Sequence, residues 1–399
     1  MTLTPARLAQ VFAAIGHFQV HFFTACYAFI VVGLVSEWQT SYEELLTLWT
    51  IGAFLFGAAA LPAGWLGDRW GARGMMSVYF VGIGAAAIFC GLSDGRVGLV
   101  VGLSAIGLFA AIYHPVGIAW LVRNCQAQGK TLGLNGVFGN YGVGFAGIIA
   151  GGLMDVAGWR AAFLVPGIIA LATGAVFILL SASGKIVEGG PASAREEAPS
   201  RSDMTRGLAI LMLNMLCAGV IFQGLQYALP KALDEKHASL FGDGLFGLGA
   251  AYTIIFFVAG TLQYVGGHLA DRYPPRTVYI LAYVVQVPLL ALVAALTNLP
   301  MVAAAILSVT LAVGVFPAEN VLFIRYTPER RRSLAFGARF VIAFGVGPLA
   351  VQLIAAIYER TGAVASLFIL LAGCAGLVAL SALFLPGERR AAPLPQAAE

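Results

Sequence analysis

Four side chains in a strongly apolar chain carry most of its possible chemistry: His17, His21, His114 and Glu319. Each lies inside an apolar run, where an ionisable group is costly and is by default a functional candidate. His17 and His21 are four residues apart, so a helix presents both on one face, with Thr24 next along it. Imidazoles at that spacing can bind a metal ion. They can equally carry a proton or receive a substrate anion, or hydrogen-bond neighbouring helices together. A metal site would want a carboxylate or thiolate beside them, and Glu319 alone is a candidate, so no resident metal or cofactor is expected. Of 19 Asp and Glu, 18 fall between the apolar runs or in tails, and Glu319 is the exception. A carboxyl group in a low-dielectric surrounding can load and release a proton near neutral pH. Glu319 is therefore the expected coupling group, the alternative being a permanent ion pair with Arg325 or Arg339 that serves as an inner gate.

The elements that must hold these groups are membrane helices. The chain has 399 residues, 60% hydrophobic and 11% charged, with mean hydropathy +0.87. Soluble domains carry about 25% charged residues. The apolar residues fall in runs of about 20, the length that spans a bilayer as a helix. Such runs do not alternate, so helices are expected rather than a barrel. Twelve are counted, centred near Phe22, Phe56, Gly84, Leu108, Val143, Ala172, Leu216, Phe256, Val287, Val313, Leu349 and Gly376. The first, about Gln10 to Val35, is too long for a signal-peptide core and reads as a retained span. An even count puts both termini on one face. Of 23 Lys and Arg, 18 fall on that face and only Arg96, Arg160, Lys231, Lys236 and Arg360 on the other. The positive-inside rule then makes the termini cytoplasmic, as in a multi-pass protein of a bacterial inner membrane. The polar stretch 184–206 reads as a cytoplasmic linker. It separates an N-terminal six-helix bundle, 1–183, from a C-terminal one, 207–399, which ends in a short cytoplasmic tail.

Several function classes are excluded. Lys and Arg are scattered singly, without the basic stripe of a nucleic-acid binder. Cys26, Cys90, Cys125, Cys217 and Cys374 form no CxxC pair and are expected to be packing residues. No phosphate-cradling loop, nucleophile elbow or HExxH motif occurs, so neither ATP-driven pumping nor an enzyme is indicated.

The chain repeats itself. Gly64-Trp-Leu-Gly-Asp68-Arg69-Trp-Gly71-Ala-Arg73 after span two and Gly267-His-Leu-Ala-Asp271-Arg272-Tyr-Pro-Pro-Arg276 after span eight both read G-x-x-x-D-R-x-x-x-R, 203 residues apart. His114-Pro115 and Phe316-Pro317 are 202 apart, as are Arg123 and Arg325. Parallel six-helix repeats organise the major facilitator transporters, and the loop Gly64 to Arg73 closely resembles that family's signature between spans two and three. The resemblance implies an all-α membrane protein with twelve transmembrane helices in two six-helix repeats. It also implies a conformational latch of charged helix ends: Gly64, Asp68, Arg69, Gly71 and Arg73, with Asp271, Arg272 and Arg276 as the second copy. The alternative is that these charges only stop the helices and set topology. The His-containing first span, Tyr113-His114-Pro115-Val-Gly117 and Asn135-Gly-Val-Phe-Gly139-Asn140 look nearest to the fosmidomycin-resistance-like, drug-efflux branch. Span five, with Gly139, Gly142, Gly144, Gly147, Gly151 and Gly152, lacks the proline of the family's antiporter motif where Ala146-Gly147 stands.

In that fold spans one, four, seven and ten line a central chamber. Glu319 lies six residues before Arg325, about 9 Å of helix, and His114 nine before Arg123, about 13 Å. His17 and His21 come early in span one, so all four groups are expected at comparable depth in the inner half. The proton-coupling set is thus Glu319, His17, His21 and His114. The substrate-contact set adds Thr24, Tyr27, Tyr113, Asn140, Tyr141, Gln223, Gln226, Tyr227 and Asn320, although such groups are as often glue between helices. Pro115 and Pro317 are expected to break their helices beside these groups. The expectation is a monomeric secondary transporter working by alternating access, exchanging protons for a small-molecule substrate in the lipid bilayer, most simply as efflux of drug-like or organic compounds. Uptake or exchange of a small organic anion, or carriage of a metal or metal chelate by the histidines, are the alternatives.

Overall fold

A computed structural model describes residues 4–124, 128–189, 201–240, 242, 244–327, 339, 341–343 and 345–386, with the side chains at 128–130, 201, 271 and 324 outside that description. Cys125, the middle of the linker, Arg330 to Arg332 and the C-terminal tail therefore lie outside the described residues.

Span one is the helix Pro5–Trp38. Thr4 starts it: the Arg7 N–H donates to Thr4 Oγ1 at 3.3 Å, and Pro5 takes the first turn, where no N–H is needed. Gln39, in the left-handed conformation, ends it by donating its N–H to Val35 O. Between these ends the helix is buried among its neighbours over most of its length, including the faces that carry His17 and His21.

Eleven described helices are long and apolar enough to cross a membrane. The twelfth is contained in one of them. Gly71, at φ 78° and ψ 157°, interrupts Ala60–Leu92. A Cβ on Gly67 would lie 2.7 Å from Val116, and one on Gly117 3.2 Å from the sulfur of Met76. Residues on both sides of Gly71 thus meet the same part of span four, and the chain doubles back there. Thr50–Ala58 and the residues before Gly71 form span two, and the residues after it form span three. The remaining spans are Gly95–Ala110 with Ile118–Arg123, Gln128–Ala157, Trp159–Ala182, Arg201–Glu235, Leu245–Arg272, Pro275–Ala295, Asn298–Gly314 with Phe316–Tyr326, Gly347–Thr361 and Ala365–Ala382. This is the expected all-α membrane protein of twelve helices in two six-helix repeats.

Spans four and ten are each broken at the equivalent place. In span four a π-helical turn, Tyr113–Gly117, holds Pro115 and presents His114. In span ten the helix stops at Gly314 and restarts at Phe316, with Pro317 in its new first turn. Proline lacks the N–H that an unbroken helix requires, and the ladder adjusts around it.

The two repeats meet along spans five and eight, which cross antiparallel. The contact is close because small residues form it. A Cβ on Gly147 would lie 2.7 Å from Gly249 O, and Thr253 Oγ1 donates to Gly144 O at 2.7 Å. In hydrocarbon such packing replaces the hydrophobic drive available in water. Span one packs on span seven, and span eleven on the start of span two. At the end remote from the termini, Gln352 donates to Thr50 Oγ1 at 2.8 Å, and the rings of Tyr42 and Tyr358 lie 5.0 Å apart.

Candidate functional site

The structure brings His17, His21 and His114 into one buried cluster. Their ring centroids form a nearly equilateral triangle of 5.0, 5.3 and 5.3 Å. One nitrogen from each ring lies within 4.8 Å of the others. Helical periodicity supplies the first two, and the π turn of span four supplies the third. Tyr113 stacks on His17 at 5.0 Å, and the Phe56 ring meets His114 edge-on at 5.9 Å.

The orientation of His17 follows from its partner. Its Nδ1 lies 2.6 Å from Asn135 O. A carbonyl oxygen only accepts, so Nδ1 carries the proton and Nε2 keeps its lone pair. Tyr113 braces the same corner, donating to Ala13 O at 2.7 Å and lying 3.0 Å from Asn135 Oδ1. Gly139, one turn after Asn135, leaves room for the ring: a Cβ there would lie 2.7 Å from His17 Nε2. In the sequence Asn135 is marked only as part of a family-like stretch, and Gly139 by that stretch and by the small residues of span five.

Glu319 sits with different company, inside the second repeat. It is 3% exposed, and its Oε1 accepts from Arg339 Nη2 at 3.1 Å. Arg339 also donates to Asn320 Oδ1. Tyr279 OH lies 3.5 Å from Glu319 Oε2, with Tyr283 one helical turn along and 5.1 Å from Tyr279. Of the two arginines considered from sequence, Arg339 is the partner. Tyr279 and Tyr283 lie outside the residues expected from sequence, although their spacing of four on span nine is a readable sign of a shared face.

The uncharged candidates are mostly engaged between helices. Tyr27 OH donates to Leu45 O at 2.7 Å, and Thr24 Oγ1 turns back to His21 O at 3.2 Å. Asn140 donates to Gln263 Oε1 at 2.8 Å, and Tyr141 OH meets Thr261 Oγ1 at 3.0 Å, both across the seam of spans five and eight. Gln223 Nε2 lies 3.5 Å from Tyr227 OH. Gln226 Nε2 lies 3.5 Å from Thr24 O across the seam of spans one and seven, while its buried Oε1 has no hydrogen-bond partner among the described residues. Gln226 is thus the uncharged candidate with spare capacity.

The two copies of the charged motif each hold the chain that leaves the sixth helix of their own repeat. Glu188, just after span six, accepts from the N–H groups of Ala72 and Arg73 at 2.8 and 3.1 Å and from Arg73 Nε at 3.2 Å. Trp120 and Asn124 at the end of span four donate to Val187 O and Glu188 O. In the second copy, Arg276 donates to Leu383 O at 2.6 Å, capping the end of span twelve. Arg69 lies over the Trp65 ring at 3.9 Å, while Asp68 and Arg272 are exposed. Gly64 lies against Pro115, and the side chain of Asp271 is outside the described residues.

Two six-helix repeats meeting at a close-packed seam, with titratable groups buried in each, make the architecture of a membrane transporter. The family model described as Major Facilitator Superfamily matches residues 13–259 and again 237–399, and the chain belongs to that superfamily. It is 29% identical over 150 residues to the 4-hydroxybenzoate transporter PcaK of Acinetobacter baylyi, covering 36% of this chain and 32% of the relative. It is 28% identical over 251 residues to the tetracenomycin C resistance and export protein of Streptomyces glaucescens, covering 61% and 41%. A probable actinorhodin transporter of Streptomyces coelicolor is 31% identical over 140 residues, covering 33% and 24%. The matches thus span less than half the length of each of these relatives. In fold, the chain matches an inward-facing bacterial homologue of the lysosomal transporter Spinster with TM-score 0.68, covering 96% of this chain and 95% of that one at 14% identity. A peptide-bound POT family transporter matches with TM-score 0.74, covering 94% and 95% at 13% identity. The superfamily and these relatives are membrane transporters, not enzymes.

Proposed function

We propose that the protein is a proton-coupled exporter of small organic compounds, with Glu319 as the coupling group. The observation that carries this reading is the Glu319–Arg339 pair, buried where charge is expensive. A permanent pair would be a poor investment for stability, because desolvation offsets most of the Coulomb attraction. A carboxylate that trades its arginine for a proton has two states of similar free energy, and each can favour one of the two conformations that alternating access requires. Substrate binding that favours one state then shifts the proton equilibrium reciprocally.

Efflux is the favoured direction because one aligned relative is named for resistance and export, and because Tyr113-His114-Pro115 and its surroundings resemble the drug-efflux branch. The termini face the cytoplasm, supported by the asymmetry of Lys and Arg. Residues 1–183 and 207–399 act as the two rocking bodies about a site that includes Gln226, with 184–206 as their tether. The charged motif, through Arg73 and Arg276, serves the latch.

The test is expression in an efflux-deficient bacterial host challenged with a panel of aromatic antibiotics and 4-hydroxybenzoate. The wild type is expected to raise tolerance to at least one compound and to collapse a preformed pH gradient in everted vesicles when that compound is added. Glu319→Gln is expected to do neither when the two are compared at equal amounts of protein in the membrane. Faster entry of 4-hydroxybenzoate with no tolerance to any compound would favour the second reading, organic-anion uptake, which rests on the match to the 4-hydroxybenzoate transporter.

A further inference from the structure

We propose that His17, His21 and His114 form a binding site for a divalent late first-row metal ion of the zinc class, with a fourth position left open to an anionic ligand. This goes beyond the transport reading and does not depend on its direction or on Glu319.

Three lines of geometry converge. The first is the triangle itself, three imidazoles from two helices with no ring more than 5.3 Å from another. Tetrahedral zinc, bound at about 2.0–2.1 Å, sets its ligand nitrogens about 3.3 Å apart. The nitrogens here lie within 4.8 Å of one another, so the rings of His21 and His114 must draw in towards the fixed His17 when an ion binds. The second is the outer support of His17. A carbonyl that accepts a hydrogen bond from Nδ1–H fixes the tautomer, and it also fixes the ring direction and raises ligand basicity, which is how protein metal sites hold their histidines. Asn135 O does this at 2.6 Å, while Tyr113 ties Asn135 to span one through Ala13. The third is space. Gly139 leaves room for the His17 ring itself, since a Cβ there would lie 2.7, 2.8 and 3.0 Å from its Nε2, Cε1 and Cδ2.

The donor chemistry selects the ion. Neutral imidazole suits zinc, copper and nickel, whereas magnesium and calcium require oxygen. Three neutral ligands leave the full dipositive charge of the ion inside an apolar bundle, which is costly without a counter-charge. An anion must therefore occupy the fourth position: hydroxide, chloride, or an anionic oxygen of the transported solute. The sequence places His114 and Glu319 at the depth of His17 and His21, but Glu319, the one acid available to a metal there, pairs with Arg339 instead. Depth along the span announces His114 as a neighbour, and the π turn Tyr113–Gly117 is what aims it at the other two rings.

The experiment uses the full-length protein purified in detergent and freed of metal with a chelator. Titration with cobalt chloride is expected to produce the intense visible absorption of tetrahedral cobalt, saturating at one ion per chain and abolished by zinc chloride. Azide is expected to change the spectrum by entering the fourth position. Zinc chloride is expected to raise the thermal midpoint by several degrees, as a ligand of the native state must, and magnesium chloride to leave it unchanged. His114→Asn and His21→Asn should lose both signals, and His237→Gln and His268→Gln, which change the two exposed histidines, should keep them. If the cluster variants fail to fold, the wild-type cobalt spectrum still decides. A spectrum of octahedral type, or signals that survive in His114→Asn, would overturn the site, and indifference to azide would remove its open position.

Discussion

Glu188 caps the start of span three while pairing with Arg73 at 3.2 Å. The carboxylate therefore does two jobs of unequal worth. The ion pair is 42% and 38% exposed on its two sides, and pairs so wet contribute about 0.2–1 kcal/mol. The capping bonds to two backbone N–H groups contribute about 1 kcal/mol more, and the carboxylate also suits the positive end of the helix. Glu188→Ala is thus expected to lower the thermal midpoint in detergent more than Arg73→Ala, with Glu188→Gln between them. High salt should shrink the effect of Arg73→Ala and leave most of that of Glu188→Ala. Equal effects from the two alanine variants would show that the cap contributes nothing.

Gly71 makes that cap possible. At φ 78° an L side chain is strained, and its Cβ would lie 2.6 Å from Glu188 Oε1. Gly71→Ala is expected to cost about 1–3 kcal/mol from backbone strain alone and to expel Glu188. Limited trypsin digestion at Lys185, beside the released strap, should accelerate in Gly71→Ala and in Glu188→Ala alike. Unchanged digestion with a lowered midpoint would separate the strain from the cap.

Much of this organisation was legible in the sequence, and the missing parts share a physical cause. Apolar run length and the doubled G-x-x-x-D-R-x-x-x-R motif sufficed for twelve helices and two repeats, because both express local requirements of a bilayer. The facing of His17 and His21 was equally local. The partnership of His17 with Asn135 was not, since it joins positions 118 residues apart. Glu188 looked like one more charge in a polar linker, and only the approach of that linker to Gly71 gives it a role. The tyrosines and amides singled out as substrate contacts illustrate the converse: a buried hydroxyl must find a partner, and Tyr27 found Leu45 O.

Gly139→Ala tests the support of the histidine cluster without touching a histidine. The added methyl group would lie 2.7 to 3.0 Å from the His17 ring, forcing the ring aside and lengthening its bond to Asn135 O. Alanine favours the helix by about 1 kcal/mol over glycine, so a simple loss of folding is not the expected outcome. The expected result is a nearly normal metal-free midpoint with at least a tenfold weaker response to zinc chloride. A zinc response equal to that of the wild type would show that His17 does not need its present position.

The Glu319–Arg339 pair predicts a reversal between single and double variants. Removing one partner of a buried pair leaves the other charge unpaired, at a cost of about 3–5 kcal/mol. Arg339 is 14% exposed and keeps Asn320 as a neutral partner, so Glu319→Gln should be at the lower end. Arg339→Leu strands the carboxylate, which can relieve itself by taking up a proton. The double variant Glu319→Gln with Arg339→Leu buries no charge and should be more stable than either single variant. Additive losses would mean that the two side chains do not share a free-energy term.

The remote end of the seam offers the last test. Gln352 donates to Thr50 Oγ1 at 2.8 Å, while Lys231 lies 5.8 and 5.7 Å from the rings of Tyr42 and Tyr358. These contacts join the two repeats and must break if the bodies rock apart at that end. Ala53 is buried beneath them, 1% exposed and against Gly347. A cysteine at position 53 is therefore expected to resist a membrane-impermeant maleimide applied to that face. Gln352→Leu removes the cross-repeat bond, and Lys231→Ala withdraws the cation from both rings. Combining them is expected to speed labelling at position 53 several-fold while a cysteine at exposed Leu92 labels at an unchanged rate. Labelling at 53 that ignores both substitutions would mean that these contacts do not hold the seam shut, and that the tight glycine crossing of spans five and eight closes it alone.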